Sequence, residues 1–429
     1  MFRYFLVLVS GLLLSCGSDK HDEPDSTPVL QGIVLSASND SPIEGANVVV
    51  INLKTNATVG RQLTGPDGRF SFELDSGSYS FEIQGSGFLD YPTHQGGGMV
   101  VTIPRDSGVT VTMNPNPTIG AVGSIAGSLA IDSGSVAGTL IVAINGNQAI
   151  STAAGPDGSF LLLNVPAGTW TLEFYKSGLM QTGAEVTALV TANKVINTSG
   201  EMQVHPGARI AGSVSFLATT AKNIDVTLVH PLTHKAIPGL SVRTDSGNSF
   251  VLNSVPPGNF IAWASYQNDS IVMDPDWIRK SGLPTITVLA ADTALSIDFS
   301  CTGAITLMQP TNPMDSIYSV ELDSIPVFTW IKQSSYASAQ EYIIEVFNEA
   351  GKRVWGGYDT DLLPLHQPIL ATNNLSVAWN FDTTATDSLV PGNYRWKVYA
   401  VKVIDKKGVI TRELLSASED LLGLFKIMP

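Results

Sequence analysis

Along this chain apolar side chains recur at every second position in short runs, and turn residues close each run. Phe70 and Phe72 flank Ser71, while Tyr79, Phe81 and Ile83 alternate with polar neighbours, as do Trp170, Leu172 and Phe174. Alternation with period two places one set of side chains on a buried face, so these runs read as half-buried strands whose aromatic stripes form core. Gly65-Pro66-Asp67-Gly68 precedes Phe70, and Gly155-Pro156-Asp157-Gly158 precedes Phe160. Asp-Gly between apolar runs supplies the positive φ of a tight hairpin, so each of these turns is expected at a hairpin tip.

The landmarks repeat. A third copy reads Asp245-Ser246-Gly247-Asn248-Ser249-Phe250, and aligning Gly247 with Gly68 and Gly158 spaces the copies about 90 residues apart, one small domain each. A second turn follows every copy and leads into an aromatic strand: Ser76-Gly77-Ser78-Tyr79, Pro166-Ala167-Gly168-Thr169-Trp170 and Pro256-Pro257-Gly258-Asn259-Phe260. A strand opening with glycine precedes every copy, at Gly32, Gly127 and Gly212. From Cys301 onward the style changes, with more tryptophan and no Asp-Gly turn. There Tyr394, Trp396, Val398 and Ala400 alternate along a single strand behind Val390-Pro391-Gly392-Asn393.

The run Pro42-Ile43-Glu44-Gly45-Ala46-Asn47-Val48-Val49-Val50, followed by Asp-Gly-Arg-Phe and Gly-Ser-Tyr, resembles the carboxypeptidase-regulatory-like family. That resemblance implies a seven-stranded, transthyretin-like β-sandwich without catalytic residues of its own. The Val390–Tyr394 segment resembles the penultimate-strand opening of fibronectin type III and related immunoglobulin-like domains. The expected fold is therefore all-β: tandem small β-sandwiches, three transthyretin-like modules and one immunoglobulin-like module. Their expected boundaries are 28–114, 118–204, 205–300 and 301–429, arranged as an elongated rod.

Composition agrees with strands and turns: 39 glycines and 24 prolines accompany 44% hydrophobic and only 14% charged residues. The formal net charge is −14 and no basic stripe occurs, which argues against nucleic acid as a partner. Cys16 and Cys301 are the two cysteines. Cys301 is expected to pack as a small buried hydrophobe.

The N-terminus sets the expected compartment. A basic residue, Arg3, precedes an apolar stretch from Phe5 to Leu14, too short to span a bilayer core that needs about 20 helical residues. Leu13-Leu14-Ser15-Cys16 resembles the lipobox of bacterial lipoproteins, which implies a signal peptide over 1–15 and acylation of Cys16. Residues 16–27 are polar and acidic and read as a flexible tether. The acids behind Cys16 also resemble surface-export signals of Bacteroidetes-type lipoproteins. The membrane is thus an expected partner through Cys16, at the outer membrane, facing either the cell surface or the periplasm.

The chain offers little chemistry. His230 and His234 form the one close histidine pair, but Pro231 between them breaks any helix, so they read as turn residues and not as metal ligands. No phosphate-binding loop or nucleophile elbow occurs, and among 38 acids no pair stands out for glycoside hydrolysis. Catalytic residues, metal and cofactor are all expected to be absent. One insertion is distinctive: Asp274-Pro275-Asp276-Trp277-Ile278-Arg279-Lys280 has an N-cap acid and a proline at the first helical position, and Gly282 can close it. Trp277 there either plugs an open sandwich end or presents a ring to a ligand. Together these features suggest a non-catalytic envelope protein that contacts another protein as a structural or adhesive scaffold. The alternative is a carbohydrate-binding lipoprotein for polysaccharide capture.

Overall fold

A computed structural model describes residues 28–53, 57–92, 100–116, 119–217, 224–264, 270–312, 319–332, 338–348, 352–371, 375–419 and 422–429. Cys16, the signal segment and the tether lie outside them. The structure is all-β, with one seven-residue helix at Pro275–Ser281 among the described residues.

The first three sandwiches share one wiring. In the first, Val29–Ser36 lies between Arg69–Glu73, antiparallel, and Gly108–Met113, parallel. The opposite sheet runs Ala57–Leu63, Asn47–Asn52, Gly77–Gln84 and Val100–Ile103. The second sandwich repeats this with Val122–Ile131 between Ser159–Pro166 and Val195–Val204. The third does so with Ala208–Leu217 between Ser249–Val255 and the parallel strands Ala294–Ser296 and Phe299–Gly303. The last of these strands holds Cys301, fully buried as a core side chain. The remaining residues form a sandwich of a three-stranded sheet (Leu307–Gln309, Val327–Trp330, Ser376–Ala378) and a seven-stranded sheet built around Glu341–Asn348 and Gly392–Lys406.

The glycine and phenylalanine landmarks are cross-strand partners. Gly32 sits opposite Phe70, Gly127 opposite Phe160 and Gly212 opposite Phe250. A Cβ on Gly32 would lie 2.0 Å from the Phe70 ring, and on Gly127 2.4 Å from the Phe160 ring. The ring lies flat over bare backbone, which lets a large side chain fill the narrow space between the sheets.

Two expectations need correction. The Asp-Gly turns are not hairpin tips. The Gly65 amide donates to the Arg69 carbonyl, so the turn is tight, yet its flanking strands belong to opposite sheets. The chain uses the turn as an arch from one sheet to the other, because both aromatic runs must face the same core. The third copy also aligns one residue later than expected. Gly68 and Gly158 have φ of 72° and 80°, and the residue with the matching φ of 62° is Asn248, not Gly247. Asparagine tolerates the left-handed region, so glycine was not required there.

The strands that open at Tyr79, Trp170 and Tyr394 are anchored by their aromatic heads, whereas Phe260 of the third copy has no polar end. Tyr79 Oη donates to Asp75 O at 2.8 Å, Trp170 Nε1 to Pro166 O at 2.9 Å and Tyr394 Oη to Val390 O at 3.0 Å. Each donor reaches a carbonyl four residues upstream, so a buried ring satisfies its polar end locally.

Candidate functional site

Interfaces between sandwiches hold a repeated set of polar contacts. In the second and third copies one more residue separates the turn from the next aromatic than in the first: Gly158 to Trp170 and Asn248 to Phe260, against Gly68 to Tyr79. The pairing registers shift at these places, between Leu162 and Val165 and between the partners of Ala208 and Ile210, whereas the equivalent strand pair of the first sandwich shows no shift. These are β-bulges, and their extra residues, Asn164 and Ser254, both have φ of 57°. Each bulge docks on the preceding sandwich. Asn164 Oδ1 accepts from Gly87 N at 3.0 Å, and its Nδ2 donates to Gly85 O at 2.8 Å and Phe88 O at 3.0 Å. Ser254 O accepts from Gly178 N at 2.8 Å. Gly87 and Gly178 occupy the same place, in Ser86-Gly87-Phe88 and Ser177-Gly178-Leu179. One device therefore builds both junctions.

Further contacts seal them. Asn47, fully buried, donates through Nδ2 to Leu161 O at 3.2 Å, and Arg61 NH1 reaches Ser159 Oγ at 3.0 Å. Leu140, Val142 and Tyr175 of the second sandwich belong to the apolar core of the third. The third sandwich meets the C-terminal one through the Ile271 amide, which donates to Glu419 Oε1 at 2.9 Å, and through Ser416 Oγ, which donates to Gly303 O at 2.6 Å. The third sandwich also reaches the first, since Lys235 Nζ lies 2.8 Å from Glu82 Oε1. The three repeats thus cluster around one another, and the expected elongated rod does not hold for them.

Where three sandwiches meet, a cleft of about 260 Å³ opens. Glu82, Gln84, Asp90 and Tyr91 of the first sandwich line it, with Ser151 of the second and Lys235 of the third. Gln84 is buried; its Nε2 donates to Asp90 Oδ2 at 3.0 Å and to Ser151 O at 3.4 Å. Gln84 Oε1 has no donor. Asp90 is exposed as a residue, but the protein around its carboxyl strips solvation and raises it above the ordinary range. The Gln84 hydrogen bond and Lys235 partly oppose the rise.

The residues singled out in the sequence lie elsewhere. The Pro275–Ser281 helix starts at Asp274, whose side chain accepts from the Asp276 amide, and stops at Gly282. It bridges the third and C-terminal sandwiches: Ile278 packs on the third core, Arg279 donates to Thr360 O, and Lys280 lies 3.8 Å from Glu413. Trp277 stays 41% exposed, so it does not fill the sandwich end. No other aromatic ring pairs with it among the described residues. His230 and His234 flank a tight turn. His230 is buried and its Nδ1 accepts from the amides of Leu232 and Thr233, both at 3.3 Å. Burial, and then His234, hold the His230 ring down at about 4. Among the described residues no group of three or more His, Cys, Asp or Glu side chains is placed to hold a metal.

Residues 29–114 match the carboxypeptidase regulatory-like domain family. The match spans the first sandwich, from its opening strand to the strand that pairs with it in parallel. Around this regulatory-like sandwich the repeated wiring extends to residue 303. No curated relative matches the chain. Among solved structures, the minor pilin GBS52 of Streptococcus agalactiae shares 15% identity over 42% of this chain and 97% of its own, with a TM-score of 0.19. The major pilin subunit BcpA of Bacillus cereus shares 11% over 65% and 99%, with a TM-score of 0.16. A DUF3823 family protein from Bacteroides uniformis shares 10% over 52% and 100%, with a TM-score of 0.21. At those TM-scores the overlays carry no argument about this chain.

Proposed function

We propose that this chain is a non-catalytic, lipid-anchored envelope scaffold that presents a binding surface to another protein away from the outer membrane. The observation that carries the reading is the repeated junction. A scaffold must hold its surface at a fixed offset, and a fixed offset requires that neighbouring sandwiches not pivot. The Asn164 and Ser254 bulges supply this, since each buried interface would have to break several hydrogen bonds before a sandwich could rotate. The bulge is present in the two sandwiches that dock on the one before them, and the regulatory-like sandwich lacks it. The lipobox-like Leu13-Leu14-Ser15-Cys16 supports attachment at that same end. The polysaccharide alternative rests on Trp277, half exposed and without a coplanar partner among the described residues, and so stands second.

The anchor is tested by growing cells on a clickable fatty acid and fractionating them. Wild-type chain is expected to carry the label and pellet with the outer membrane, and Cys16→Ala to lose the label and leave the membrane fraction. Unlabelled wild-type chain, or labelled Cys16→Ala, would remove the anchor from the proposal.

A further inference from the structure

The junction cleft has a surplus of acceptors. Glu82 and Asp90 bring two carboxylates, and the Gln84 and Ser151 carbonyl oxygens add neutral acceptors. Among the described residues that line it, Lys235 is the one cation, and Glu82 lies 2.8 Å from it. Asp90 accepts from the Gln84 amide and shares the field of Lys235 with Glu82. Gln84 is the second, independent sign. Only 6% exposed, it has both amide hydrogens directed at Asp90 and Ser151, while Oε1 has no donor among the described residues. A buried acceptor in that state is destabilising, so the site is incomplete as built.

We propose that this cleft binds a small molecule through a protonated primary amine, in the size class of an amino sugar. The chemistry follows from what is missing. An ammonium group brings three donors and one positive charge, and here the carboxylates outnumber the cations while an amide oxygen lacks a donor. An anion would meet two carboxylates, and an apolar ligand would leave the same acceptors unpaired. The site draws residues from three sandwiches, so it exists only in the packed chain, and it does not depend on the scaffold role or on Trp277.

The test titrates the full chain with glucosamine and, in parallel at equal ionic strength, with N-acetylglucosamine, followed by calorimetry. Glucosamine is expected to give a saturable isotherm and its acetylated analogue none, since acetylation removes the charge and two donors. Asp90→Asn keeps the shape of the site and is expected to weaken glucosamine about tenfold, the loss of one charge-assisted contact. Lys235→Met releases Glu82 and is expected to tighten glucosamine, an outcome that simple loosening of the junction would not give. Circular dichroism melts of both variants establish that they fold. Equal responses to the two sugars, no saturable heat up to about 20 mM glucosamine, unchanged affinity in Asp90→Asn, or weaker binding in Lys235→Met would each overturn the proposal.

Discussion

Replacing Gly32 with alanine tests the central packing device of the repeat. Gly32 has no left-handed φ, so alanine strains no backbone dihedral there, and by strand preference alone it would stabilise by up to about 1 kcal/mol. Packing opposes this. The new Cβ would stand 2.0 Å from Phe70 Cζ and 2.5 Å from both Cε atoms, so the ring has to retreat by more than an ångström. It has nowhere to go: Phe70 is 3% exposed and its centroid lies 5.8 Å from both Phe72 and Phe81. Overpacking of this kind costs about 1–3 kcal/mol, so after the gain in strand preference a net loss of about 1–2 kcal/mol is expected for Gly32→Ala. Phe70→Leu alone should cost about 1–2 kcal/mol through the space it empties. In the double variant the leucine no longer fills the volume that Cβ enters, so the combined cost should fall short of the sum by about 1 kcal/mol or more. Native-state hydrogen exchange on peptides from Val29–Ser36 and Arg69–Glu73 reads these local free energies in the intact chain, where global unfolding of several sandwiches would not be two-state. A Gly32→Ala loss below about 0.5 kcal/mol, or strict additivity with Phe70→Leu, would refute the reasoning.

Asn164→Ala removes three hydrogen bonds between the first two sandwiches and should lower protection of the Gly85–Phe88 segment by about 1–3 kcal/mol, while the core peptides of both sandwiches keep theirs; uniform loss across the second sandwich would instead make Asn164 a folding residue. Stability should also fall with acid. Burial holds the rings of His230 and His366 at about 4, against 6.5 in the unfolded chain. Between those values the unfolded chain binds more protons, so the stabilisation present above pH 6.5 is lost as pH falls toward 4, by up to about 3 kcal/mol for each ring. Urea midpoints at pH 7.5 and 4.5 measure the loss. His366→Gln, which keeps an acceptor near the Ile344 amide, should shrink it, and an unchanged pH dependence in that variant would assign the effect to other groups.

Periodicity made the strands legible because alternation is a local consequence of the pleat: Phe70, Phe81, Trp170 and Trp396 are all core, as their neighbours required. Turn chemistry was legible only as far as conformation. Asp67-Gly68 announces a tight turn, but whether the next strand returns beside the last one or crosses to the other sheet depends on which face holds the aromatic rings, a tertiary matter. The Gln84–Asp90 cleft was illegible for the same reason, since Ser151 and Lys235 reach it from other sandwiches. The junction, by contrast, had a signal that composition conceals and counting reveals. Copies two and three are one residue longer between turn and aromatic, and the extra position is Asn164 in one and Ser254 in the other. An added residue inside a strand breaks its ladder and is kept where it gains contacts in exchange. Here those contacts are with the preceding sandwich, and the first of the three copies lacks the residue. A difference of one residue between repeats thus marks which of them must dock.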